Sequence, residues 1–289
     1  MQRIKIITDS ASDLPKEITD QLGIEVLPIP IGVDGVGYLE GVDFTPREFY
    51  SILEKAKEIP TTSQISPITY CESYHRAFTQ GYTDVILVGI SSKASATYLR
   101  SKDGADIFYQ NCPEAKEKFH IHIIDSLTFS LGYGYPVMEA AKMVQAGKSV
   151  EEILAMIEDW LDRLEVYFTA FSFEYIKKSG RIGCASAIVG EALGIRPLIH
   201  IKKGEIKIVA KPRGKQGIIN KMAQKVQEQI DPQSPFAMLI GTEPGAEEEL
   251  AQKVKELTGK DVDLIADVGC SVSINSGPRM IGCAFVSKK

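Results

Sequence analysis

The sequence is poor in the residues that announce metal, disulfide or acid–base chemistry. Histidine occurs only four times. His75 falls in a helical stretch and His200 in a hairpin strand, while His120 and His122 stand two apart on one strand. Two imidazoles on one strand face could begin a metal site, but no third ligand stands at suitable spacing, so a partly exposed strand is the better account. The five cysteines (Cys71, Cys112, Cys184, Cys270 and Cys283) are odd in number and never spaced C-x-x-C. They indicate neither a disulfide framework nor a zinc site, and they fit a reducing cytoplasm. No run of 18 apolar residues occurs, so no transmembrane helix is expected. The apolar part of "MQRIKIITDS" is too short for a signal-peptide core. A basic excess is also lacking: 33 Lys and Arg stand against 38 Asp and Glu, a net charge of −5, which argues against a nucleic-acid partner. The chain has no G-x-x-x-x-G-K-[ST] loop and no acidic metal cluster, so ATP chemistry by this chain alone is not indicated.

What is present is an ordinary globular composition, 44% apolar and 25% charged, in a chain of 289 residues, long enough for two domains. The pattern predicts an α/β fold with two domains. Residues 1–162 alternate strands and helices and should form a mostly parallel sheet with helices on both faces. Residues 163–289 should form an α/β domain with antiparallel pairs, among them a hairpin turning at "KKGE". Thr45-Pro46 with Glu48, and Ser149 with Glu152, read as capping boxes. "EVLPIPIGV" (25–33) reads as one strand pushed to a sheet edge by its prolines, and "CASAIVGEALGI" (184–195) as an apolar helix rich in small residues.

Three strands of the first half end in Thr8-Asp9-Ser10, Ser91-Ser92 and Asp125-Ser126. If these strands are parallel, their hydroxyls meet on one rim, where open α/β sheets bind ligands and where free helix N–H groups attract anions. Helix capping is the better account of any one of them, and only the coincidence of three brings the two readings level. "SSKASATY" (91–98) gathers Ser91, Ser92, Ser95 and Thr97 in one loop. A nucleophile at Ser92 or Ser95 would need a histidine base, and no histidine is placed by sequence to serve it. In "PTTSQISP" (60–67), Ser66 and Pro67 read as an N-cap and first-turn proline, but Thr62 and Ser63 lie too far upstream to cap that helix. "KKSGRIG" and "KPRGKQG" offer Arg181 and Arg213 as candidate headgroup or partner contacts. "NSGPR" (275–279) reads as a tight turn between two strands and carries Asn275.

"ITDSASDLP" (7–15), "TSQISP" (62–67), "SSKASATY" (91–98), "DSLTFSLGYG" (125–134), "EYIKKSGRIG" (174–183) and "NSGPRMIG" (275–282) follow one another in order. Together this pattern resembles the DegV family of bacterial fatty acid-binding proteins over essentially the whole chain. The resemblance implies a lipid-binding protein rather than an enzyme, without a cofactor. One long-chain fatty acid would have its carboxylate held by Thr62 and Ser95, with Ser63 and Ser92 next in line, and its acyl chain in an apolar tunnel. Some family members serve as the non-catalytic acyl-carrying subunit of a fatty acid kinase, presenting the carboxyl group to a separate ATP-binding subunit. Arg213 resembles the arginine that assists there. Asn275 stands where those members carry His, and Ala94-Ser95-Ala96 replaces their L-S-G. The alternatives are a phosphotransferase related by fold to dihydroxyacetone kinases, or a serine hydrolase.

Overall fold

The computed structural model describes residues 2–180 and 194–289. The proposed helix at 184–195 and Arg181 therefore lie almost wholly outside the described residues. The chain opens with β1 (Ile4–Asp9), α1 (Lys16–Leu22) and β2 (Glu25–Leu27), and then leaves the first sheet for the hairpin β3 (Pro30–Val33) and β4 (Val36–Leu39). It continues through α2 (Pro46–Lys55), β5 (Thr61–Thr62), α3 (Pro67–Thr79), β6 (Asp84–Gly89), α4 (Thr97–Asn111) and β7 (His120–Asp125). Helices α5 (Leu131–Gln145) and α6 (Val150–Arg163) close this half. Strands β2-β1-β6-β7 form a four-stranded sheet, parallel throughout. All six residues of β6 are buried, because its core takes in the α3–α4 pair through Tyr70, Tyr74 and Phe108 and the α5–α6 pair through Tyr133, Val137 and Ile153.

"EVLPIPIGV" is two strands in two sheets. The chain breaks at Pro28: β2 is an edge of the parallel sheet, whereas β3 is the centre of a small antiparallel sheet of order β4-β3-β5. A central strand tolerates Pro30 because proline stands at its first residue.

Next come β8 (Leu164–Ala170), α7 (Glu174–Ser179), β9 (Leu198–Lys202), β10 (Glu205–Ala210), α8 (Gly214–Gln229), β11 (Phe236–Ile240), α9 (Ala246–Thr258), β12 (Leu264–Asp267), α10 (Cys270–Ser276) and β13 (Met280–Val286). They make a six-stranded sheet of order β10-β9-β8-β13-β11-β12, antiparallel except for β11 with β12. Period-two alternation gives this sheet two distinct faces. Tyr167, Met238 and Phe285 pack under α8 and α9, while Val166, Phe168 and Leu239 turn the other way. "NSGPR" is not a turn between two strands. Asn275 and Ser276 end the short helix α10, and Gly277-Pro278 leads from it into β13.

Both capping boxes form, with the hydroxyls of Thr45 and Ser149 accepting from the amides of Glu48 and Glu152. Ser66 Oγ likewise accepts from the Thr69 amide at 3.1 Å. Ser66→Ala is expected to cost about 1 kcal/mol, read as a fall of roughly 2–4 °C in Tm by calorimetry.

Candidate functional site

The parallel order of β1, β6 and β7 brings the three hydroxyl-rich strand ends to one rim, but most of their side chains are committed to the fold. Ser10 Oγ donates to Glu40 at 2.6 Å. Ser91 Oγ accepts from the Lys93 amide at 3.3 Å, and Ser126 Oγ donates to the Thr128 carbonyl at 3.3 Å. These residues shape loops; the cavity lies just beyond them.

That cavity separates the rim from the inner face of the six-stranded sheet and encloses about 890 Å³ of atom-free space, the solvent at its mouth included. On the rim side stand Ile29, Ile90, Ala94 and Phe129, with the hydroxyls of Thr62, Ser63, Ser95 and Ser130. Opposite them the sheet presents Val166, Phe168, Ile201, Ile206, Leu239 and Met280. Val268, Ser271, Val272, Asn275 and Ser276, in α10 and just before it, complete the wall. The lining is therefore mostly hydrocarbon, with polar groups at a few points.

The polar groups differ in what they can still donate. Ser95 Oγ donates to Thr97 Oγ1 at 2.9 Å and accepts from the Thr97 amide at 3.2 Å. Ser276 Oγ reaches the carbonyls of Val272 and Gly277, at 3.2 and 3.0 Å. Asn275 Nδ2 donates to the Ser271 carbonyl at 2.8 Å. Ser130 donates to Asp13, and Ser271 Oγ donates to Glu40 at 2.8 Å. Among the described residues, the hydroxyls of Thr62 and Ser63 have no such partner. Thr62 is held by its backbone, opposite Ile31 in the small sheet, and the Ser63 amide donates to the Pro30 carbonyl at 2.9 Å. Backbone pairing thus fixes two hydroxyls at the cavity and leaves their protons free.

The other sequence candidates fall elsewhere. Ser92 does not line the cavity; its amide donates to Asp125 at 3.0 Å. Arg213 is exposed at the N-cap position of α8. The histidines have their own neighbours: His75 faces Cys112 Sγ at 3.5 Å, His122 faces Asp84 at 3.2 Å and His200 faces Glu165 at 2.5 Å.

Sequence reasoning placed Asp9 at the rim without giving its carboxyl a role, and missed Asp13 and Glu40; all three are buried carboxylates just behind the cavity wall. Burial pushes the Asp9 carboxyl up to about 6, against the opposing pull of bonds from Tyr133 and Ile90. Burial and the neighbouring Glu40 hold Asp13 well above the usual carboxylate range, and burial raises Glu40 as well. The two Asp and two Ser residues of "ITDSASDLP" were a signal, but they read equally well as helix caps.

Comparison with known proteins agrees with this architecture. The model of the DegV family, described only as that of an uncharacterised protein, matches residues 3–288. A DegV domain-containing protein of Caldanaerobacter subterraneus is 30% identical over 293 residues, covering 100% of each chain. The solved structure of a DegV family protein of Thermus thermophilus, described as binding fatty acid, is 28% identical, covers 99% of this chain and 100% of its own, and superposes with a TM-score of 0.86. A fatty acid-binding DegV family protein of Streptococcus agalactiae is 25% identical with 100% of each chain covered and a TM-score of 0.86.

Proposed function

The chain belongs to the DegV family, and we propose that its cavity binds one long-chain fatty acid. The acyl chain lies against the inner face of the six-stranded sheet, and the carboxylate sits at Thr62 and Ser63, with Ser95 beside them. The observation that carries this reading is the pairing of a hydrocarbon-lined space with two hydroxyls whose protons are uncommitted. Burying a carboxylate is costly unless donors satisfy it, and hydroxyls do so without covalent chemistry. Each methylene removed from water contributes about 0.8 kcal/mol, so a long chain supplies enough to offset the cost of association, about 4–15 kcal/mol. In this reading residues 1–162 hold the headgroup and residues 163–289 house the chain.

The protein is then a binder rather than an enzyme. A serine hydrolase would need a base at Ser95, whose hydroxyl is instead paired with Thr97. No helix among the described residues is long and apolar enough to cross a membrane. Cys71, Cys112, Cys270 and Cys283 are free thiols, which suits a place in the cytoplasm. A carrier role toward a separate ATP-binding subunit is the second reading. It is favoured by the exposure of Ser63, which would leave a carboxylate at the cavity mouth where another protein can reach it. Native mass spectrometry of the purified chain is expected to show one fatty acid bound per chain, either co-purified or taken up on incubation. A chain that stays ligand-free after incubation with saturated and unsaturated acids would overturn the proposal.

A further inference from the structure

Asp9, Asp13 and Glu40 are 1%, 8% and 4% exposed, and no described lysine, arginine or histidine pairs with them. Each is tied to the cavity wall. Asp9 accepts from the Ile90 amide at 2.8 Å, Asp13 from the Ser130 hydroxyl, and Glu40 from the Ser271 amide and hydroxyl, both at 2.8 Å. The carboxylates belong to the parallel sheet's rim and the end of the small sheet, whereas Ser271 belongs to α10 of the other half. The seam between the halves of the protein therefore passes through the two bonds from Ser271 to Glu40.

Support for the three is unequal. Glu40 has the Ser10 hydroxyl at 2.6 Å besides Ser271, and the Cys270 amide also faces it. Asp9 has the amides of Ala11 and Ile90 and the Tyr133 hydroxyl. Asp13 has Ser130, while its Oδ1 is buried and faces the Gly269 amide without a well-aligned bond. A methyl group on Gly269 would lie 2.8 Å from Glu40 Oε1 and closer still to Asp13 Oδ1, so the two carboxylates stand side by side above one glycine. Two adjacent buried carboxylates resist ionising together. The remaining ionisable groups turned toward them are Tyr133 of α5, Cys270 of α10 and Tyr50 of α2, none of them cationic. Nearby cations are engaged elsewhere, Arg47 with Asp267 and Lys16 with Asp20, each at 2.8 Å. The backbone adds a second sign. Asp13 and Ser130, the two ends of one hydrogen bond, both have positive φ, 53° and 55°. Such conformations are costly outside glycine and persist where surrounding bonds impose them.

Resting on the fatty-acid reading of the cavity, we propose that Asp13 Oδ1 carries a proton that it donates to Glu40, and that this shared proton keeps the wall at Ser130 and Ser271 closed on the ligand. Asp13 and Glu40 are positioning residues: they touch the wall, not the ligand. An outer groove lined by Ser12, Asp13 and Glu40 gives water a route to the pair. Loss of the proton leaves two adjacent anions at the seam, loosens Ser130 and Ser271, and lowers affinity.

The sign follows from linkage. The closed, liganded form holds one proton more than the open form, so affinity falls as pH rises. The dissociation constant of a labelled long-chain fatty acid, measured from about pH 6 to about pH 9, is expected to rise by up to tenfold per pH unit across part of that range. Asp13→Asn carries an amide hydrogen where the proton would be, and its profile should be flatter, with tighter binding than the wild type at the alkaline end. Glu40→Gln removes the second anion and should flatten the profile in the same way, so either variant serves if the other fails to fold. The ligand's own carboxyl titrates alike in all three proteins, so the difference in slope isolates the pair. A wild-type affinity independent of pH overturns the proposal, as do equal slopes in wild type and variant. Absence of binding at every pH instead removes the fatty-acid reading on which it rests.

Discussion

Replacing Thr62 by Val and Ser63 by Ala together is expected to weaken fatty-acid binding by about 100-fold or more, at about 1.5–3 kcal/mol for each lost hydrogen bond to a charged group. The effect follows from the inventory of protons at the cavity. Ser130, Ser271 and Ser276 already spend theirs on protein acceptors, Ser95 spends its own on Thr97, and Asn275 gives one of its two amide hydrogens to the Ser271 carbonyl. Thr62 and Ser63 can meet an arriving carboxylate without breaking an existing bond. The fold should tolerate the change. Valine has threonine's shape and suits the strand paired with β3, and Ser63 is exposed. Thermal unfolding should therefore move little while titration calorimetry records the loss. Ser95→Ala should cost less, because its hydroxyl must first leave Thr97. If Ser95→Ala costs more than the double substitution, the headgroup sits on the serine-loop side. An unchanged affinity in the double variant would place it elsewhere in the cavity.

The features legible in the sequence are those settled within a few residues. The cap at Ser66, the boxes at Thr45 and Ser149 and the "KKGE" hairpin turn all form as local chemistry requires. Sheet class was legible for a related reason: a continuous apolar run such as β6 has to be covered on both faces. The misreadings are those decided by partners far along the chain. Nothing local says that Pro28 divides one apolar stretch between two sheets, or that Asn275 lies on a helix. The cavity wall is likewise nonlocal. Alternation along β8 separates Val166 and Phe168 from Tyr167, but which face meets α8 and which meets the rim depends on the whole sheet. Asp13 and Glu40 gave no signal of their proximity in the sequence, because their shared environment exists only once Gly269 is brought between them.

Gly134→Ala should be among the most damaging single-atom additions in the chain. A Cβ at 134 would fall on the Ser12 backbone carbonyl, well inside contact distance, and 3.3 Å from Leu14 Cγ. The obstacle is backbone, and that backbone is pinned on both sides, by the Asp13 amide on the Ser10 carbonyl at 3.2 Å and by the Ser130 amide on the Ala11 carbonyl at 2.9 Å. Helix α5 would have to back away from β1, pulling on the bond from the Tyr133 hydroxyl to Asp9. The expected cost is about 3 kcal/mol, the upper end for overpacking, or a Tm lower by roughly 5–10 °C. Gly147→Ala is the matched control. It lies just beyond the same helix at φ 73° with no atom within 4 Å, so it should lose only the left-handed backbone preference, about 1–2 kcal/mol. Because Ser12 adjoins Asp13 and Asp13 holds Ser130, Gly134→Ala should also weaken ligand binding, whereas Gly147→Ala should not. Equal losses of stability in the two variants, with ligand affinity unmoved in both, would mean that α5 does not bear on the loop that carries the cavity wall.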